Sequence, residues 1–141
     1  MKLLHKLLVA CALAGALTAT VPPAMADSQG SLFVNLTSED PHRVNMAMLF
    51  SKSMMEREHP LTIWLNDKAV VVAAKKHSDQ FADQQKTLAD LIAKGATVIA
   101  CPFCMKHYGV EESDLLSGVK VGNPDLTGSL LFKDDTKTLS W

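Results

Sequence analysis

A three-layer α/β fold, with a mostly parallel sheet covered by helices on both faces, is what this sequence predicts. Two patterns carry that expectation. Apolar strand-like segments alternate with segments of helical periodicity, the order that builds parallel sheets. The early strands are apolar throughout rather than alternating, as strands covered on both faces must be. Size agrees: the chain has 141 residues, and the part after residue 26 is enough for one domain with one core and shows no repeat or linker.

Taken in order, Asp27 to Gly30 is a polar lead-in, and Ser31 to Leu36 reads as a buried first strand. Thr37-Ser38-Glu39-Asp40-Pro41 is rich in turn and cap residues. From His42 through Glu58 the pattern is helical, with Val44, Met48, Phe50, Met54 and Met55 mostly on one broad face, until His59-Pro60 ends it. Leu61 to Leu65 is a second strand and Asn66-Asp67 a turn. Lys68 to His77 reads as a short helix, Ser78-Asp79-Gln80 as a cap-rich stretch, and Gln84 to Lys94 as a helix closed by Gly95. Ala96 to Ala100 is a third strand. Cys104 to Tyr108 makes one or two helical turns ended by Gly109, and Glu111 to Leu116 another short helix. Val119 to Val121, Ser129 to Phe132 and Thr136 to Trp141 are the remaining candidate strands. In such a fold ligands bind outside the carboxyl ends of the strands. Three loops are then expected to meet at one edge: Thr37 to Arg43, Asn66 to Lys68, and Cys101 to His107.

Residues 1–26 carry the parts of a secretory signal. Lys2, His5 and Lys6 form a basic start, Leu7 to Val21 is apolar, and Pro22-Pro23 precedes the small-x-small site Ala24-Met25-Ala26. The apolar run is shorter than the ~20 residues that span a bilayer. Leu8-Val9-Ala10-Cys11 resembles a lipoprotein box, but almost no apolar chain precedes Cys11. Cleavage after Ala26 and a periplasmic location are therefore expected, with residues 27–141 as one domain and no membrane attachment afterwards. The leader takes two lysines and no acid with it, so the formal charge moves from −1 to −3. That mildly acidic balance offers no footprint for nucleic acid or anionic membrane.

The segment Cys101-Pro102-Phe103-Cys104-Met105-Lys106-His107-Tyr108-Gly109 concentrates the chemistry. It follows the apolar strand Thr97-Val98-Ile99-Ala100, so Cys101 falls at a strand-to-helix junction, with Pro102 where a missing N–H costs nothing. Free amides and the helix dipole favour a thiolate there, and Lys106 and His107 add charge nearby. Cys101 is thus the candidate nucleophile. Cys104, about one turn on, is a candidate resolving thiol that can close a disulfide with it. Simple packing on the inner face of the helix is the alternative for Cys104. Cys101, Cys104 and His107 also form a Cys-x2-Cys-x2-His set suited to zinc or copper(I), which His42, His59 or His77 could complete. A thioredoxin fold does not fit. The motif comes after two strands and several helices, and the only later proline, Pro124, is no partner for the thioredoxin cis-proline loop. The methionines at 46, 48, 54 and 55 read as core or subunit contacts rather than copper ligands. Arg43 is either an anion contact or a solvated charge. Trp64 reads as core or interface, and Asn35 is a polar residue in an apolar strand that needs a partner.

The order of these segments resembles the DsrE/DsrF-like family, which includes sulfur-relay proteins. The likeness runs from Leu32-Phe33-Val34-Asn35 and Asp40-Pro41-His42-Arg43 through Ile63 to Val70 and Leu88 to Gly95. It continues through the Cys101 segment to Gly122-Asn123-Pro124-Asp125-Leu126-Thr127-Gly128. Relay members place an active cysteine at a strand end and a glycine eight residues later, and Cys101 and Gly109 match. The resemblance implies a DsrE-like fold, a persulfide on Cys101, and assembly into homotrimers or homohexamers. This chain departs from the relay pattern in its leader, in Lys106-His107-Tyr108 where arginines are common, and in the added Cys104.

Together these readings predict a periplasmic, thiol-based sulfur-handling protein. Cys101 is the nucleophile, Cys104 its resolving partner, and Lys106 or His107 the thiolate's support. The partners expected are small sulfur species or a protein thiol, and no cofactor is required. The alternatives are a copper or zinc protein using Cys101, Cys104 and His107, and a non-catalytic binding oligomer with a structural disulfide.

Overall fold

The computed structural model describes residues 30–141. The leader expected over residues 1–26 lies outside them. Five strands form one sheet, all parallel: β1 (Leu32–Leu36), β2 (Leu61–Leu65), β3 (Thr97–Ala100), β4 (Val119–Val121) and β5 (Lys137–Ser140). Their spatial order is β4-β3-β2-β1-β5. The connections are helical: α1 (Pro41–Met55), α2 (Ser78–Ala93), the short α3 (Pro102–His107) and α4 (Pro124–Leu131).

This order explains the layers. The chain steps one way along the sheet from β1 to β4, then crosses back to lay β5 beside β1. Parallel crossovers are right-handed, so α1 and α2 share one face while α4, on the return crossing, covers the other. The main core lies on the first face, where Leu32, Val34, Leu36, Ile63, Leu65 and Val98 meet Val44 and Met48 of α1 and Phe81, Leu88 and Leu91 of α2. On the second face Phe33 and Ile99 are buried, and Phe33 packs edge-on against Trp64 with ring centroids 6.2 Å apart.

Local sequence sets the helix starts. Asp40 caps α1 by accepting from the Arg43 amide at 2.9 Å, with Pro41 at the first position. Asn123 caps α4 in the same way, accepting from the Leu126 amide at 2.8 Å ahead of Pro124. That cap corrects the strand expected at Ser129 to Phe132: the segment is the end of α4, because Asn123-Pro124 starts a helix that carries the apolar run with it. The helix expected over Lys68 to His77 is instead two 3₁₀ stretches, Asp67–Ala73 and Lys75–His77. Ala69 to Ala74 are all buried, and Ala74 bridges to Leu115. A segment enclosed on every side has no exposed face to keep, and the tighter turn fits a narrower slot. α2 starts at Ser78 rather than Gln84 and is kinked at Phe81 (φ −120°, ψ 24°). Among the described residues no helix is long and apolar enough to cross a membrane.

Candidate functional site

The strand ladder continues one residue past three strand ends. The amides of Asn66, Cys101 and Gly122 bond to the carbonyls of Leu36, Leu65 and Ala100 at 2.8, 2.9 and 2.8 Å. Register therefore sets Asn66, Cys101 and Gly122 side by side along the carboxyl edge of the sheet. The three loops expected at this edge do converge. Lys68 of the second loop pairs with Glu39 of the first at 3.0 Å, and Asn66 of the second contacts Cys104 of the third at 3.0 Å.

Cys101 is the N-cap residue of α3, its sulfur accepting from the Cys104 amide at 3.4 Å. Both cysteines are free thiols, Cys101 buried and Cys104 half-buried. Their sulfurs lie 2.7 Å apart, within a small side-chain movement of the ~2.05 Å of a disulfide. The Cys104 sulfur has two further neighbours: it donates to Asn66 Oδ1 at 3.0 Å and accepts from the Asp67 amide at 3.2 Å. Asp67 holds its amide there with a left-handed backbone (φ 46°), a conformation that aspartate tolerates better than most residues. Its carboxylate accepts from the Tyr108 hydroxyl at 2.5 Å. That bond pushes the phenol up to about 12.

Burial and the hydrogen bond to Cys101 push the Cys104 thiol up from 9.0 to about 11, against the opposing pull of the Asp67 amide. Cys104 thus keeps its proton at neutral pH and offers it to Cys101 or Asn66. The two sulfurs are not equivalent: Cys104 is held between Asn66 and the Asp67 amide, while Cys101 caps α3 and opens on a cavity of about 290 Å³. Trp64, Pro102, Phe103, Gly122 and Thr127 line that cavity, which is almost wholly apolar.

A pH dependence follows. The folded thiol of Cys104 titrates above an exposed one, so its protonated form favours the fold. This contribution is complete below pH 9.0 and is lost as pH rises toward 11. Iodoacetamide alkylation of Cys104, followed by peptide mass mapping, is expected to stay slow through about pH 8 and to climb only well above pH 9. An alkylation midpoint at or below the ordinary thiol range would contradict this environment.

The end of α3 is fixed by Gly109. Its φ of +63° and the Val110 amide bond to the Met105 carbonyl at 2.8 Å form a Schellman cap. Nothing crowds the place where a Cβ would stand. Gly109→Ala is therefore expected to lower stability by the backbone cost alone, about 1–2 kcal/mol, measurable by thermal or urea unfolding.

Lys106 and His107 occupy the last turn of α3, at the opposite end from Cys101. Both are exposed, and His107 packs edge-on against Tyr108 with ring centroids 4.7 Å apart. Neither is a hydrogen-bond partner of either sulfur; their position suits the negative end of the helix dipole. The three-ligand set of Cys101, Cys104 and His107 does not assemble. Among the described residues no group of three or more His, Cys, Asp or Glu side chains is placed to hold a metal ion. His59 is committed elsewhere, with Nδ1 2.8 Å from the Gly30 carbonyl. Met48 is core, Met54 and Met55 pack against it, and Met46 is exposed. Arg43 lies with Glu39 and Lys68 around a polar hollow at the start of α1. Trp64 is both half-buried packing and cavity wall. Asn35 reaches Ser140 at 3.4 Å through Nδ2, while its Oδ1 has no partner. Asn66 and Asp67 hold the Cys104 sulfur and Tyr108 holds Asp67, roles that no motif in the sequence announces. Only the Asn66-Asp67 turn at the end of β2 pointed to that edge.

Fold and site define an α/β protein with an asymmetric pair of thiols at the carboxyl edge of a parallel sheet. The chain belongs to the DsrE/DsrF-like family, whose model matches residues 31–135. Its fold is similar to that of YchN from E. coli, with a TM-score of 0.68 at 17% identity over 79% of this chain and 99% of that one. The MTH1491 protein of Methanobacterium thermoautotrophicum is similar at a TM-score of 0.62 and 16% identity, over 79% of this chain and 99% of that one. BT1422 of Bacteroides thetaiotaomicron follows at 0.57 and 20%, over 79% and 95%. These likenesses show the fold. Among curated proteins, none matches in sequence.

Proposed function

We propose that this protein is a periplasmic sulfur carrier in which Cys101 takes up sulfur as a persulfide and Cys104 resolves it. Sulfur relay is in keeping with its family. The observation that carries the reading is the inequality of the two sulfurs: Cys101 caps α3 and faces a cavity, while Cys104, 2.7 Å away, retains a proton. A retained proton slows attack by Cys104 on a persulfide, leaving time to pass sulfur to an acceptor. When resolution does occur, the Cys104 thiol and the Cys101 persulfide give a Cys101–Cys104 disulfide and hydrogen sulfide. The family likeness also supports self-assembly into trimers or hexamers, and exposed Met46, Leu49 and Leu139 offer apolar surface for it. Light scattering should then give a mass of at least three chains.

The test of the carrier is a mass spectrum. Reduced protein lacking residues 1–26 is incubated with a panel of sulfane-sulfur donors, anionic and neutral, and Cys101 should gain sulfur from at least one. No gain from any donor would sink the reading. A second reading, a dithiol that simply cycles with its disulfide, is favoured by the short sulfur–sulfur distance. It predicts a disulfide that forms readily in a glutathione buffer, with no sulfur adduct at any stage.

A further inference from the structure

We infer that the Cys101 site is built for an uncharged, apolar sulfane-sulfur donor, an organic polysulfane, and discriminates against thiosulfate and similar sulfur oxyanions. The inference rests on the carrier reading and names the donor class for it. The cavity that Cys101 faces is lined by Trp64, Pro102, Phe103, Gly122, Thr127 and their neighbours. Among the described residues no lysine, arginine or histidine is part of its walls. The basic side chains of the cysteine segment, Lys106 and His107, stand at the far end of α3.

The two helix starts beside the cavity offer an anion few amides and no cation. Pro102 opens α3 without an N–H, and the Cys104 amide is already bonded to the Cys101 sulfur. At α4 Pro124 likewise lacks an N–H, the Leu126 amide is taken by Asn123, and Asp125 puts a carboxylate in the first turn. A dianion entering this space would lose part of its hydration and gain no charged partner. A neutral polysulfane loses nothing of that kind and gains contact with the Trp64 and Phe103 rings. Both aromatic edges and polarizable sulfur favour such contact.

The loading step needs no added oxidant. The Cys101 thiolate attacks the central sulfur of a dialkyl trisulfide. A new S–S bond forms to Cys101, and the bond from the central sulfur to one outer sulfur breaks. The electron pair leaves on an alkanethiolate, which takes a proton from water. Cys101 is left carrying the other alkyl group through two added sulfurs, and the inner one, bonded only to sulfur, is the sulfane cargo. Attack of the released alkanethiol, as its thiolate, on the outer sulfur then forms a dialkyl disulfide and leaves that cargo on Cys101 as a persulfide.

The experiment compares dimethyl trisulfide with thiosulfate on reduced wild-type protein, each loading rate divided by that of N-acetylcysteine with the same reagent. This division removes the reagents' intrinsic reactivity. The protein is expected to favour the trisulfide by at least about tenfold more than the free thiol does, the equivalent of one desolvation penalty only partly relieved. Thr127→Lys, which adds the missing cation to the cavity wall, should narrow the gap by raising the thiosulfate rate. Equal normalised rates in the wild type, or a preference for thiosulfate, would overturn the donor assignment and leave the carrier reading standing. Failure of both reagents and of every other donor would remove the carrier reading and this one with it.

Discussion

Cys101→Ser is expected to reduce sulfur loading to the level of a thiol-free control while leaving the fold intact. Serine is a stronger N-cap than cysteine, so α3 keeps its start and the Cys104 amide keeps an acceptor. What disappears is the one sulfur among the described residues that lines the cavity, and a hydroxyl is no nucleophile at neutral pH without a base beside it. Cys104 cannot take over, because its thiol is pushed up to about 11 and is held between Asn66 and Asp67. Cys104→Ser should do the opposite. Loading persists, the adduct accumulates, and no intramolecular disulfide forms. Intact-mass spectra of the two variants under one donor decide the matter. Full loading of the Cys101→Ser protein on Cys104 would reverse the assigned roles.

Phe81→Ala is expected to be the most damaging single change to stability, at about 3–5 kcal/mol. Phe81 is wholly buried and sits where α2 breaks, with backbone angles no helix would choose. The ring belongs to the main core beside Leu88 and Leu91 of the same helix. Alanine would leave a hole there and keep the break. Against a total of about 5–15 kcal/mol for a domain of this kind, the loss should move the urea midpoint far toward zero. A loss below about 1 kcal/mol would show that the surrounding side chains can collapse into the gap. The 3₁₀ stretch that packs on α2 begins with Asp67, which holds Cys104. The alkylation profile of Cys104 therefore offers an independent readout of the same damage.

Some parts of this molecule are legible in sequence for a clear reason. β1, β2 and β3 are unbroken apolar runs bounded by turn residues, and double-sided burial demands that pattern. Cys101 at a strand-to-helix junction is legible because Pro102 marks the first helical position. α4 is misread because Leu130-Leu131-Phe132 looks like a strand when taken alone. The deciding signal is seven residues upstream, in the Asn123-Pro124 cap. That error hides the cavity as well, since Thr127 and Gly128 line it as residues of α4. The buried Ala69 to Ala74 run satisfies strand, helix and 3₁₀ alike, and tertiary enclosure chooses among them. The metal set has the right spacing on a helix, yet among the described residues Cys101, Cys104 and His107 form no three-ligand group, and the His107 ring packs edge-on against Tyr108.

The pairing of β5 with β1 bears on the timing of folding. Ser31 and Thr136, 105 positions apart, share a hydrogen bond, and the two strands run in register from Leu32 with Lys137 to Asn35 with Ser140. During synthesis β1 precedes every other strand of the sheet, and its second neighbour, β5, is the last strand described. Until residue 140 has left the ribosome, one side of β1 is a bare ladder of amides and carbonyls. The nascent chain can form the four strands β1 to β4 but cannot close that edge. Contacts of such sequence separation also form slowly once the chain is complete. The step that completes the sheet is thus the docking of Lys137–Ser140 onto an edge that has waited since β1 was made.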